Sequence, residues 1–144
     1  MNSQLVLLFF VLFVPFFALG QVNVGQNLVD PKGAIIIAGL EGQVSVINNL
    51  TNVPLSPDKV KLGGILFDGH TIKTGPASKI ILLLTNGTIT TLKSETSLNF
   101  KKFTQEKFDT SKTKLNELKG EPSKSTTIMD IEFGDLVVDV KKIR

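Results

Sequence analysis

Residues 80–92 constrain the fold more than any other part of this sequence. Ile80, Ile81, Leu82, Leu83 and Leu84 form an unbroken apolar run, Asn86 and Gly87 follow, and Thr88, Ile89, Thr90 and Thr91 lead into Leu92. Asn and Gly reach positive φ at little cost, and β-branched side chains fit a pleated surface, so the stretch predicts a β-hairpin with a two-residue turn. A strand with one wet face alternates apolar and polar residues. The continuous run therefore predicts a first strand covered on both faces.

Other segments carry the same signals. Ile35, Ile36 and Ile37, then Val44, Val46 and Ile47, are set apart by Gly39 and Gly42 and read as short strands. Residues 48–59 hold Asn48, Asn49, Asn52, Pro54, Ser56, Pro57 and Asp58, which make a loop. Leu98 and Phe100 alternate onto one side. Ile131 and Phe133, then Leu136, Val138 and Val140, show period two on either side of Gly134 and Asp135, as two strands bent at that glycine. Only residues 102–119 break the pattern. They are lysine-rich, with Phe108, Leu115 and Leu118 at helical spacing, Asp109 or Ser111 as cap, and Gly120 and Pro122 as stop, which predicts a short helix over residues 110–119. The expected fold is all-β, a compact meander or sandwich-like sheet of short strands with that one helix. Its core is expected to hold Ile80, Leu82, Leu84, Ile89, Leu92, Leu98, Phe100, Phe133, Leu136 and Val138.

The amino terminus adds a compartment. Residues 5–19 are apolar and uncharged, broken only by Pro15, and Ala18 and Gly20 are the small residues that a signal peptidase reads. At about fifteen residues the run falls short of a membrane span. Residues 1–20 are thus expected to be a cleaved export signal, with a retained anchor as the alternative because Met1 supplies the sole positive charge before the run. Residues 21–33 read as a flexible leader and residues 34–144 as one β domain, periplasmic or secreted. Cysteine is absent, so stability must come from burial of apolar side chains. The net charge of +3 is spread among interleaved acids, as in Lys101, Lys102, Glu106, Lys107 and Asp109, and Trp and Tyr are absent. Neither a basic stripe nor a stacking platform for nucleic acid results.

Catalytic chemistry finds little to work with. His70 is the sole histidine, it sits in a turn-forming Asp68-Gly69-His70-Thr71 context, and no nucleophile elbow is present. The acids Asp130 with Glu132, and Asp135 with Asp139, fall at even spacing on the expected solvent side of strands. Gly39-Leu40-Glu41-Gly42 lacks the basic residue of a phosphate loop. Asn49-Leu50-Thr51 and Asn86-Gly87-Thr88 match the glycosylation pattern, the second already used as a turn. No catalytic, cofactor-binding or metal-binding residue is expected, and no cofactor.

The order of these signals resembles the FecR domain of bacterial extracytoplasmic proteins. The pieces are Gly42-Gln43-Val44, Gly63-Gly64-Ile65-Leu66, Asp68-Gly69-His70-Thr71-Ile72-Lys73-Thr74-Gly75, Ser78 before the apolar strand, Asn86-Gly87-Thr88, Ser97-Leu98 and Gly134-Asp135-Leu136. Two departures stand out: Gly63-Gly64 replaces the family's Gly-Asp, and the family's later segment with a Pro-Gly turn and an Arg-Gly-Thr strand has no counterpart before Arg144. The domain is therefore expected to be incomplete at its carboxy-terminal end. The resemblance implies an exported, non-catalytic module that binds a protein or cell-envelope polymer. The alternatives are a structural envelope or matrix component, and a periplasmic regulator of a sigma-factor and transporter system. If a strand is missing, the backbone of Leu136, Val137, Val138, Asp139 and Val140 forms an open edge, blunted by Lys141, Lys142 and Arg144, for strand addition to a partner or to a second copy as a homodimer.

Amino-terminal sequencing of the exported protein is expected to begin at Gln21. Full-length chain in the membrane fraction would show an uncleaved anchor instead.

Overall fold

The protein, a computed structural model describing residues 31–109 and 111–141, is built from strands that all pair antiparallel. The apolar run of residues 5–19 lies outside the described residues. In chain order the strands are β1 (Ile35–Glu41), β2 (Val44–Asn48), β3 (Val53–Pro54), β4 (Ile65–Leu66), β5 (His70–Thr74), β6 (Lys79–Leu84), β7 (Ile89–Leu92), β8 (Ser97–Gln105), β9 (Ser125–Phe133) and β10 (Leu136–Asp139). They make two five-stranded sheets, one ordered β10-β7-β6-β1-β4 and the other β3-β2-β5-β8-β9. No helix among the described residues is long and apolar enough to cross a membrane.

The inner faces of the two sheets share one core. In the first sheet, cross-strand partners line up in rows: Leu66, Ile35 and Leu84; Ile37, Leu82, Thr90 and Val138; Leu40, Ile80, Leu92 and Leu136. Val46, Ile72, Leu98, Phe100 and Phe103 meet them from the second sheet. The buried apolar members of this cluster are at most 2 % exposed. Phe100 and Phe103 stand three apart, which would put them on opposite faces of a regular strand. A β-bulge at Lys101, the residue skipped between the Phe100–Met129 and Lys102–Ile128 pairs, turns both inward.

The other flank of β8 is completed in three pieces. β5 pairs with it as far as Phe100, whose carbonyl also accepts the Gly69 N–H at 2.7 Å. Next, the Asp68 carboxylate accepts the Phe103 N–H at 2.9 Å, with the Lys32 ammonium 3.5 Å away. Finally Gly33 donates to the Phe103 carbonyl at 3.0 Å and Gln105 donates to Pro31 at 2.8 Å. Pro31, Lys32 and Gly33, at the end of the expected leader, are thus ordered against β8 before the chain crosses to the first sheet as β1.

Four expectations are corrected. The β6–β7 loop has three residues, Thr85, Asn86 and Gly87: Gly87 donates to Leu84 at 2.8 Å, Leu84 to Thr88 at 2.9 Å, and Gly87 alone takes positive φ, 87°. That is a type I turn closed by a glycine bulge, with the Asn86 carboxamide accepting the Thr88 N–H at 3.0 Å. The helix over residues 110–119 is reduced, among its described residues, to the single 3₁₀ turn Leu115–Glu117 without a side-chain cap. Asp109 bonds instead to the Ser111 N–H at 3.0 Å, a local turn that competes with helix, and so short a segment is marginal without a packed face. β6 is not covered on both faces, since Ile80, Leu82 and Leu84 are buried while Ile81 and Leu83 are half-buried on the outside. In the core, Thr88 and Thr90 take the inward positions of the second hairpin arm and Ile89 faces outward, because Ile89 has the opposite parity to Leu92. Phe133 is 56 % exposed beyond a bulge at Glu132, and Leu136 and Val138 are half-buried on a terminal strand.

Leu82→Ala is expected to cost about 2–5 kcal/mol, and Leu136→Ala less, as its site is half-open. The fully buried Thr90 hydroxyl has no hydrogen-bond partner, so Thr90→Val is expected to stabilise by about 1 kcal/mol. Urea midpoints at unchanged m-values measure all three.

Candidate functional site

Part of the motif, Gly42, Gln43, Thr74, Gly75, Ser78, Gly134 and Asp135, comes together at one end of the sandwich, where it builds turns, while Asn86, Gly87 and Thr88 turn the chain at the opposite end. The Ser78 hydroxyl accepts the Gln43 N–H at 2.8 Å and donates to Pro76 at 2.9 Å, and Gly75 donates to the Gln43 carbonyl at 2.9 Å. The Thr74 hydroxyl accepts the Thr96 N–H at 2.9 Å and donates to the Lys93 carbonyl at 2.6 Å. The Thr96 hydroxyl in turn accepts the Asp135 N–H at 3.0 Å. These bonds join the β1–β2 turn, the β5–β6 turn, the β7–β8 turn and the bend between β9 and β10. Gly134 has φ 91°, and a Cβ there would lie 2.5 Å from the Thr96 Cα. Each of these residues thus has a structural task that accounts for its position.

The titratable candidates do not assemble. His70 Nδ1 lies 2.9 Å from the Phe67 carbonyl oxygen, closing its own turn. Asp130 is ion-paired with Lys101, Glu132 accepts the Ser97 hydroxyl at 2.7 Å, and Asp139 pairs with Lys141 at 3.6 Å. Among the described residues no three His, Asp or Glu side chains form a cluster that could hold a metal ion. The Ser56 hydroxyl holds the Asp58 carboxyl below its usual range, and the Ser111 hydroxyl does the same for Asp109. Both are loop carboxylates, and neither is poised near neutrality.

The sandwich edges differ from one another. At one side, β3 and β4 are two residues long, β3 contains Pro54, and Leu55 and Val60 from the intervening loop pack against the core. At the other side, β9 runs for nine residues with β8 on one flank, and β10 for four with β7 on one flank. Neither has a strand on its other flank among the described residues. Ile128, Ile131 and Phe133 on β9, Val137 on β10 and the neighbouring Val140 remain between 46 % and 65 % exposed. Between these strands lies a cleft of about 310 Å³, lined by Ser125, Thr127 and Met129 from β9 and by Val138, Val140 and Lys141. At its far end Asn86 donates to Ser125 at 3.0 Å, and the Ser125 hydroxyl bonds to Glu121.

Of the residues singled out in the sequence, Leu136, Val137, Val138 and Asp139 form the terminal strand of the first sheet, and Val140 follows it at the cleft. β7 satisfies one flank of that strand, and the other has no strand among the described residues. Lys142 and Arg144 lie outside the described residues. The sequence reading missed β9 as an edge, although it is the longer one. Its order in the sheet follows from pairing with β8 across a connector of about twenty residues, which no local pattern announces.

Fold and edges define a two-sheet antiparallel β sandwich in which β9 and β10, the edge strands of one side, have no strand on their outer flank among the described residues. No family model, curated protein or solved structure is detectably similar to the chain.

Gly134→Ala is expected to destabilise by more than about 1 kcal/mol, through strain at positive φ and the clash with Thr96. Thermal unfolding checks it, and an unchanged midpoint would show that the β9–β10 bend is not locked.

Proposed function

We propose that the protein is an exported, non-catalytic β domain of FecR-like type that binds another protein by strand addition at β9 and β10. The reading rests on one observation. Among the described residues the longest strand without a partner on one flank, β9, also carries exposed apolar side chains, Ile128, Ile131 and Phe133. An edge of this kind offers a row of unpaired N–H and C=O groups to an extended segment, and the flanking side chains select it. Natural β proteins normally blunt such edges with very short strands or proline, as this chain does at β3 and β4. β9 keeps its length, and its charges and bulge are confined to Asp130 and Glu132, so residues 125–129 fit use as a binding edge. The motif of Thr74, Gly75, Ser78 and Gly134 serves this reading indirectly, by fixing where β9 ends and β10 begins.

A photoreactive amino acid at Ile128 or Val137, introduced in the producing cell, tests it. Both edge positions are expected to give polypeptide adducts on illumination, whereas the same probe at Ser45, exposed on a sheet face, gives none. Absence of adducts from both edge positions would remove strand addition as the function.

A further inference from the structure

We infer that the segment added at β9 is β9 of a second copy of this chain, the two strands running antiparallel about a two-fold axis through Met129. This rests on the strand-addition reading and specifies its occupant. The nine residues Ser125–Phe133 span about 30 Å, enough for a full ladder between two copies. A strand pairing antiparallel with its own copy can do so in several registers, and the one centred on Met129 uses its whole length. That register sets Asp130 opposite Ile128 of the second copy, Glu132 opposite Thr126 and Ile131 opposite Thr127. No two acids then face each other.

Neighbouring registers fare worse. Centring on Asp130 or Glu132 opposes each acid to itself, and centring on Ile131 opposes Asp130 to Glu132. Like charges directly across a ladder are destabilising. Centring on Ile128 avoids this but leaves Glu132 and Phe133 without partners. Of the two irregularities in the β8–β9 pairing, the one on β9, at Glu132, lies outside the central pairs of residues 127–131, and the other is an extra residue of β8, Lys101, on the flank away from the second copy. The pairing gives Ile128 and Ile131, each 46 % exposed, cross-strand neighbours, and it joins the second sheets of two copies into one continuous sheet. Because β3 and β4, at the far side of each sandwich, are short and β3 carries Pro54, the assembly closes as a dimer and does not run on into a fibre.

The chain lacks cysteine, so single introduced cysteines report the register without interference. Under mild oxidation purified Met129→Cys is expected to form a disulfide-linked dimer at least tenfold faster than Ile131→Cys, whose own counterpart lies four residues along the ladder. A mixture of Thr127→Cys and Ile131→Cys is expected to cross-link between the two variants. Charge gives a second, independent readout at an exposed site. Ile128→Asp sets a carboxylate opposite Asp130 of the other copy and is expected to weaken dimerisation at least tenfold relative to Ile128→Lys, as measured by sedimentation equilibrium. Equal cross-linking of Met129→Cys and Ile131→Cys, or equal dimerisation of the two Ile128 variants, would overturn this register. A strictly monomeric protein would overturn self-pairing. If that monomer still gave a foreign adduct from the Ile128 photoprobe, strand addition would stand with another partner, and if it gave none both readings would fall.

Discussion

With no disulfide available, the domain depends on the contact between two inner sheet faces, and that contact dictates which irregularities the strands tolerate. Ile35, Ile37, Ile80, Leu82, Leu84 and Leu92 press against Val46, Ile72, Leu98, Phe100 and Phe103, all essentially sealed from solvent. Each such side chain gains about 1.5–3 kcal/mol from burial, which must offset the entropy of ordering a chain rich in turns. A regular β8 would expel either Phe100 or Phe103 from this contact. The bulge at Lys101 avoids that, and Asp68 supplies the acceptor that the Phe103 N–H finds neither in β5 nor in residues 31–33. Local disorder in the ladder is thus the condition for order in the core.

Hydroxyl groups do the corresponding work at the ends of the sandwich. At one end Thr74 and Thr96 link the end of β5, the β7–β8 turn and the bend at Gly134. At the opposite end the Thr85 hydroxyl accepts the Ala34 N–H at 3.1 Å and donates to the buried Gln105 carboxamide at 2.6 Å. Chains that cross between sheets leave backbone groups that the ladders cannot satisfy, and short polar side chains reach them without filling the core. Thr90 is the exception: its hydroxyl is buried in the middle of a row of aliphatic side chains, beyond the reach of either polar end.

These devices leave the sandwich asymmetric. One pair of edges is cut short and backed by Leu55 and Val60, while the other pair keeps a nine-residue strand with an unpaired flank and a cleft behind it. The outer face of the first sheet is also apolar along the row Ile65, Ile36, Leu83 and Ile89, which explains why β6 reads as a continuous apolar run although only one of its faces is sealed. Side chains in such a row shield one another sideways, so an apolar face can be half-buried without a third layer.

The sequence by itself determined the all-β class, the hairpin around Asn86 and Gly87, half of the buried apolar core (Ile80, Leu82, Leu84, Leu92, Leu98 and Phe100) and the bend at Gly134, because these depend on period-two patterning and on glycine at positive φ, both local properties. Tertiary structure decided the rest. Phe103 could be assigned to the core only once the bulge was placed, Thr88 and Thr90 displaced Ile89 from it because pairing with β6 fixed the parity, and residues 111–119 keep a single 3₁₀ turn because Asp109 bonds locally to Ser111 and Thr113. Leu136, Val137, Val138 and Asp139 were legible as a strand from their alternation next to Gly134, whereas their place at an edge was expected only from the resemblance. The edge character of β9 was not legible, because which flank of a strand stays open depends on the order of strands in the sheet, and that order is set by contacts between residues far apart in the chain.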